Sequence, residues 1–285
     1  MIVVVDALGR RVELPRPARR VVSLVPSETH SVALLSGPEV IVGRTRFCVE
    51  PSLQAPFVGG TKDVDVRSVV ALQPDLVLAN KEENSRRCVE ALIEAGLSVH
   101  VSFPRGVAEA VDYLGTLERL LGTSGAQHRA LAAVVERMAR NPRKGVRAFV
   151  PIWVDPWMTF DGRTFASDVL ELCGGVNVFA DRARRYPLAA DLGRRPPLSP
   201  AAVGDRDTRY PRVHLDEVTA RRPDRVFLPD EPYAFGASEA QALVEAGFTA
   251  EQIRFINGKD LFWYGAWMVD GLPRLANILD EASTR

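Results

Sequence analysis

Two segments far apart in the chain are spelled alike, and that repetition limits the fold more than any other feature. Val69–Ala79 reads VVALQPDLVLA and Val218–Pro229 reads VTARRPDRVFLP. Each is the tail of a helix, then Pro-Asp, then a continuous apolar run. Proline cannot continue a helix and drives the residue before it out of helical conformation. An apolar run with no polar alternation is a strand covered on both faces, as in a parallel sheet. The same alternation surrounds both copies. In the first half, VVSLV at 21–25 predicts a strand, and a helix follows over Glu28–Ser36, capped by Ser27 and stopped by Gly37-Pro38. Val40–Gly43, Asp75–Ala79 and Leu97–Phe103 predict further strands, with helices over Val66–Leu72 and over Asn84–Ala95 before Gly96. In the second half, Val146–Ile152, Asp224–Leu228 and Arg254–Ile256 predict strands. Ser167–Cys173, Leu215–Arg221, Ala240–Ala246 and Gly271–Ala282 predict helices. Strand–helix alternation with short connections is the α/β class.

Between the halves, Val107, Val111, Leu114, Leu117, Leu120 and Leu121 recur at helical spacing. After a weak point at Gly122–Gly125 the pattern resumes with Leu131, Val134, Val135 and Met138, and Asn141–Gly145 ends it. The prediction is one long helix, or two, over 105–144. It joins an α/β lobe at 1–104, opened by a hairpin turning at Gly9, to a second lobe at 145–285. Two Rossmann-like lobes bridged by a long helix leave a cleft, the usual place for a small ligand.

Other classes fall away. Three cysteines without a CxxC spacing make no disulfide framework. Thirty-six basic residues balance 36 acidic ones, so no net field draws the chain to nucleic acid. No apolar run approaches the roughly 18 residues of a membrane-spanning helix. Ile2–Val5 is too short for the core of an export signal. As written the chain is expected in the cytoplasm, or in a periplasmic or other extracytoplasmic space if a signal has been removed. No catalytic triad or phosphate loop is visible and no cofactor is required, so an enzyme is the weaker expectation.

The segments VVSLVPSETHSVALL, VGRTRFCVEP, VGGTKDVDVRSVVALQPDLVLANKEEN, TFASDVLELCGGVNVFAD and YPRVHLDEVTARRPDRVFLP, with the central and final helices, cover nearly the whole chain. In order and spacing they resemble the helical-backbone (class III) periplasmic-binding-protein family, which serves vitamin B12, haem and ferric siderophores. FCVEP and ELCGGVNVFAD are most similar to its B12 branch. The resemblance implies a monomeric, non-enzymatic substrate-binding protein that takes a metal-chelate ligand, a corrinoid first, then haem or a ferric siderophore. It also implies an ABC permease as partner, met by one glutamate on each lobe. Here Arg67 stands at the first position, and Asp216, with Glu217 beside it, at the second. An arginine facing a permease arginine repels rather than pairs, which puts that docking in doubt. His30 likewise replaces the glutamate of the family's PSxTE element.

Candidate ligand contacts cluster in loops after strands. Trp153 and Trp157 flank Val154-Asp155-Pro156, and Trp263, Tyr264 and Trp267 form a second group, so all four tryptophans lie in two short stretches. Flat rings suit a planar chelate and lose little entropy on binding, although the same rings serve equally as core. The resemblance adds Phe47 and Tyr210. Arg46, Lys81 and Asn84 follow strand ends, which face the crevice of an open α/β sheet. Lys81 suits an anionic group and Asn84 a polar substituent, unless ANKEEN is simply the start of a helix. His30 is a candidate to face the cleft as well. Asp230 and Glu231 are neighbours in an extended segment, point apart, and make a poor metal pair. Cys48, in a loop, is expected to be the exposed thiol, with Cys88 and Cys173 buried. The connection near 182–212 is longer than the family's and carries eight Arg against three Asp. Long loops usually have a use: an anionic ligand, a docked protein, or a solvated lid. The alternatives to a binding protein are a cytosolic enzyme or accessory factor of cobalamin or iron metabolism, and a protein-docking module using this basic insertion.

Overall fold

The computed structural model describes residues 1–143 and 145–283. Lys144, part of the predicted helix stop, and residues 284–285, at the end of the predicted second lobe, lie outside them. The chain forms two compact units. One is Met1–Val134 with Trp263–Val269, and the other is Val135–Phe262 with Asp270–Arg285.

The first unit opens with the predicted hairpin, β1 (Ile2–Val5) against β2 (Arg11–Leu14), turning through Gly9 at φ 74. Its parallel sheet holds β3 (Val21–Ser23), β4 (Ile41–Arg44), β5 (Leu76–Asn80) and β6 (Val99–Ser102) in the order β4-β3-β5-β6. Helices α1 (Pro26–Ser36), α2 (Val66–Ala71) and α3 (Arg86–Glu94) connect them. Ser27 is not the cap of α1. Pro26 occupies the first turn, where its missing N–H costs nothing, and Ser27 is buried behind it. The core is the apolar set the sequence marks, with Val22, Leu24, Val77, Ala79, Val99 and Val101 from the strands against Val69, Val89 and Leu92 from the helices.

Both readings of the central stretch, one helix or two, resolve to two: α4 (Val107–Leu121) and α5 (Ala126–Arg140). Gly122 ends α4 in left-handed conformation at φ 68. The carboxylate of Glu118, 3% exposed, accepts the amides of Gln127 at 3.1 Å and His128 at 3.3 Å, so it caps the start of α5. The division between the units falls within α5, after Val134.

The second unit has β7 (Val146–Phe149), β8 (Gly175–Asn177), β9 (Arg225–Pro229) and β10 (Ile253–Ile256), all parallel, in the order β10-β9-β7-β8. Its helices are α6 (Phe165–Leu172), α7 (Leu188–Asp191), α8 (Pro200–Val203), α9 (Leu215–Ala220), α10 (Ala237–Glu245), α11 (Lys259–Phe262) and α12 (Met268–Ser283). β8 escapes the sequence reading because its three residues, Gly-Val-Asn, make no apolar run. Counted along the chain, each sheet has the order second, first, third, fourth.

The repeated Pro-Asp has one physical role in both units. In the first, Asp75 Oδ2 accepts the amides of Arg19 and Arg20 at 2.9 and 3.1 Å. Arg20 donates in return to the carbonyls of Leu72 and Gln73, at 2.6 and 3.2 Å. In the second, Asp224 Oδ2 accepts the Arg147 amide at 2.9 Å, and Arg147 donates to the carbonyls of Arg221 and Arg222 at 2.6 and 3.3 Å. Gln73 and Arg222 sit at φ 46 and 49, a left-handed turn that a side chain resists. The guanidinium offsets that cost by satisfying carbonyls that the helix end leaves open. Each clasp ties the start of its parallel sheet's first strand in chain order, β3 or β7, to the start of the third, β5 or β9.

Candidate functional site

The carboxyl ends of parallel strands are where open α/β sheets present their ligand sites. In the second unit, the loops after β7 and β9 bring four rings into a row. Trp153 stands edge-on to Tyr233 at 5.3 Å, Tyr233 edge-on to Phe235 at 4.8 Å, and Phe235 is stacked on Trp157 at 6.0 Å. The two ends of this row differ. Trp157 packs against the core of the unit, whereas Trp153 is 49% exposed. The loop that carries them is closed by amide–carbonyl bonds between Ile152 and Met158 and between Met158 and Trp153, at 2.8 and 2.9 Å. Trp153 is therefore presented on a fixed turn. Tyr210 lies half-buried, with the Arg209 guanidinium 5.4 Å over its ring.

In the first unit, the loop after β4 is wound around Arg44. This buried side chain donates to the carbonyls of Cys48, Leu53 and Ala55, at 2.6, 2.8 and 3.3 Å. The winding leaves Phe47 52% exposed with the Arg46 guanidinium 5.3 Å from its ring, and Arg46 also pairs with Asp63 at 3.1 Å. It turns Cys48 inward. Contrary to expectation Cys48 is fully buried beside Thr45 Oγ1 at 3.1 Å, and burial pushes its thiol pKa up. Cys88 is half-buried and Cys173 buried. Lys81 is exposed, 5.2 Å from the Phe103 ring. Asn84 is buried and used internally: its Oδ1 accepts the Asn80 amide at 2.8 Å, and its Nδ2 donates to the Thr61 and Leu24 carbonyls at 2.9 and 3.4 Å.

The sequence reading missed the most polar buried feature of this unit. Glu28, 1% exposed in the first turn of α1, accepts three hydroxyls on one oxygen. They come from Ser102 at 2.6 Å, Tyr113 at 2.7 Å and Tyr264 at 3.0 Å. Its Oε2 is buried without a hydrogen-bond partner. Asn80 Nδ2 extends the network to Tyr264 and Ser102, at 3.0 and 3.1 Å. Burial raises the Glu28 pKa to about 7, against the opposing pull of the three hydroxyls and with a further push from Glu83. Tyr264 is thus a network residue in the interior. Trp263 is buried and Trp267 half-buried, both against His30, whose ring lies 5.0 Å from Trp267 and 6.0 Å from Trp263. Gly265 between them sits at φ 90 against Ser31, whose Oγ accepts the Ala266 amide at 3.0 Å, so a side chain at 265 has no room.

Among the described residues no group of three or more His, Cys, Asp or Glu is placed to hold a metal ion, and no helix is long and apolar enough to cross a membrane.

No family model matches the chain. The vitamin B12-binding proteins of Yersinia pestis and Yersinia pseudotuberculosis are 30% identical to it over 179 residues, 60% of this chain. The match spans 63% of the length of those relatives, less than two thirds. Among solved structures, the periplasmic vitamin B12 binding protein BtuF of Vibrio cholerae superposes with a TM-score of 0.69, at 20% identity over 95% of this chain and 100% of that one. The periplasmic heme-binding protein BhuT, solved with two hemes, gives 0.71 at 18% identity over 94% and 99%. The CeuE protein of Helicobacter pylori with Ni(II) bound gives 0.72 at 13% identity over 99% and 88%. The chain has the class III periplasmic-binding-protein fold.

On this periplasmic-binding-protein fold, Arg67 and Asp216 hold equivalent places. Each is the second residue of the short helix before the third strand of its parallel sheet, Arg67 in α2 before β5 and Asp216 in α9 before β9, and both are exposed. Glu217 differs from its neighbour, because it is half-buried and paired with Arg182 at 2.9 Å.

Proposed function

We propose that the chain is a non-enzymatic binding protein for a metal-chelate small molecule, with a corrinoid as the first candidate and haem or a ferric siderophore as the others. The observation that carries this reading is the aromatic row at the carboxyl end of the second sheet. Trp153 offers a broad flat surface on a closed turn, backed by Tyr233, and such a surface binds a planar or ring-bearing ligand without ordering a flexible side chain. The first unit has features of its own suited to a ligand with anionic substituents: exposed Phe47 with Arg46, and exposed Lys81 beside the half-buried Phe103. The similarity to B12- and heme-binding proteins supports the same class. In this reading the protein works outside the cytoplasm, as those proteins do, and hands its ligand to an ABC permease through Asp216. Arg67 removes the second carboxylate, so that docking is one-sided.

Incubating the purified protein with cobalamin, cobinamide, haem and a ferric siderophore tests the reading through tryptophan fluorescence and the visible spectrum of the ligand. Saturable quenching with one of them, weakened about tenfold in Trp153→Ala, is the expected result. No saturable change with any of the four refutes it. Fractionation of the native host separates the extracytoplasmic location from the cytoplasmic one.

A further inference from the structure

The connection between β8 and α9 contains the arginine-rich stretch 182–212, and its guanidiniums divide into two kinds. Some are spent inside the unit. Arg182 is buried against Asp191 and Glu217, each at 2.9 Å, and Arg209 pairs with Asp207 at 2.7 Å. The guanidiniums of Arg194 and Arg195 make no ion pair or hydrogen bond with a described residue. They open the sequence Arg-Arg-Pro-Pro-Leu-Ser-Pro at 194–200, inside an unbroken exposed run from Gly193 to Ala202. An exposed loop is ordinarily free to change shape, but covalent geometry and hydrogen bonds fix this one. Proline holds φ at about −65° and drives the residue before it into extended conformation. Pro196, Pro197 and Pro200 therefore restrain every residue from Arg195 to Pro200 except Leu198. Leu198 is held instead by its amide, which donates to the Tyr186 carbonyl at 2.8 Å. Tyr186 is anchored in turn, its hydroxyl donating to the Asp207 carbonyl at 2.7 Å. Ser199 has φ −63 and ψ 155, the polyproline II conformation. The Arg194 amide donates to the Ala189 carbonyl at 2.7 Å, and at the other end Ser199 caps α8 with Pro200 in its first turn.

This rigid arm faces outward with a definite chemistry. Polyproline II repeats every three residues at about 3.1 Å per residue, which puts Pro197 and Pro200 on one edge about 9 Å apart. The carbonyls of Arg194, Arg195, Pro196 and Pro197 accept no hydrogen bond from a described residue. Two prolines on one edge, an exposed Leu198, open carbonyls and two unpaired guanidiniums are what a proline-binding groove recognises. Aromatic side chains take the pyrrolidine rings, donors at the rim take the carbonyls, and a carboxylate takes an arginine as a bidentate pair. A segment already held extended loses little entropy on binding. Two guanidiniums are too few for a nucleic-acid backbone, where affinity grows with the number of phosphates neutralised. We propose that residues 194–200 are a docking arm for another protein, one that offers an aromatic-lined groove with a carboxylate at its rim. The arm lies wholly within the second unit, and the inference stands whichever chelate, if any, the aromatic row binds.

A photo-crosslinking amino acid in place of Leu198, in the full chain expressed in its native host, tests the arm. The same group in place of Ala139, exposed on α5, is the reference. Irradiation should join the chain to one other protein, at a peptide that carries Trp or Tyr together with Asp or Glu, as read by mass spectrometry. The adduct should fall about tenfold when Pro197→Ala, or Arg194→Gln with Arg195→Gln, is added. It should persist with Arg185→Gln, at an exposed arginine of the same stretch. No adduct above the Ala139 reference overturns the proposal, as does an adduct to a second copy of this chain, to lipid or to nucleic acid. An adduct that survives Pro197→Ala overturns it too, and so does equal loss with Arg185→Gln, which reports diffuse attraction. Circular dichroism verifies that each variant folds. A second measurement uses the unaltered chain. Calorimetric titration with the identified protein, purified, should show saturable binding weakened about tenfold by Pro197→Ala, and its absence also overturns the arm.

Discussion

Glu28→Gln isolates one buried ionisation. In the folded chain the Glu28 pKa is raised from 4.5 to about 7, and in the unfolded chain it returns to its ordinary value. Between those two values the folded state holds a proton that the unfolded state has released, so stability falls as pH rises through this window. Integrated from pH 4 to pH 8, the loss is about 3 kcal/mol, roughly 1.4 kcal/mol for each unit of pKa difference. Glutamine keeps the shape and an acceptor for the hydroxyls of Ser102, Tyr113 and Tyr264 but cannot ionise. Stability of the unaltered chain minus that of Glu28→Gln should therefore fall by about 3 kcal/mol between pH 4 and pH 8. Urea unfolding at both pH values measures it. The difference between the two chains is needed because His100 works against Glu28 over much the same range. Two profiles that run parallel from pH 4 to pH 8 would refute the assignment of a raised pKa to Glu28.

His100 supplies the opposite slope. Burial lowers its pKa to about 4, so below pH 6.5 the unfolded state takes up a proton that the folded state refuses, and stability drops on acidification. His100→Leu should reduce the stability lost between pH 7.5 and pH 4 by about 3 kcal/mol in urea unfolding. The two tryptophans of the β7 loop should separate cleanly. Trp157→Ala, at the core end of the aromatic row, should cost about 2–4 kcal/mol of stability. Trp153→Ala should stay within about 0.5 kcal/mol while weakening ligand binding, as denaturant curves and titrations on the same samples would show. Arg20→Ala and Arg147→Ala should each cost about 0.5–1.5 kcal/mol, the net worth of hydrogen bonds that water can replace, with hydrogen exchange at β3 or β7 rising accordingly.

What was legible in the sequence was local. Pro74 and Pro223 end helices by covalent geometry, and the apolar runs after them have one solution, a covered parallel strand. Gly122 marks its own turn, although hydrophobic spacing alone left one helix and two equally open. What was not legible depends on partners distant in the chain. Glu28 looks like an acid in the first turn of a helix, and its hydroxyl partners Ser102, Tyr113 and Tyr264 lie 74, 85 and 236 residues away. Trp153 and Trp157 share one loop, and the phase of that loop, not their residue type, decides which one meets solvent. Tyr264 reads in sequence as a ligand-contact ring because a ring after a strand serves core and site equally well; its hydroxyl meets Glu28 in the interior. Cys48 sits in a loop and was expected outside, but Arg44 gathers that loop around itself and carries the thiol in.

The paired clasps also act as a ruler along the chain. From Arg20 to Asp75 the chain takes 55 residues, and from Arg147 to Asp224 it takes 77, a difference of 22. Both spans begin and end at matching hydrogen bonds, so the difference measures how far the second half has outgrown the first. The surplus falls in two places: 15 residues separate β7 from α6 where two separate β3 from α1, and 37 separate β8 from α9 where 21 separate β4 from α2. If the halves descend from one ancestral unit, they have since differed most in the loop that bears Trp153 and Trp157 and in the stretch that bears the arginine-rich segment.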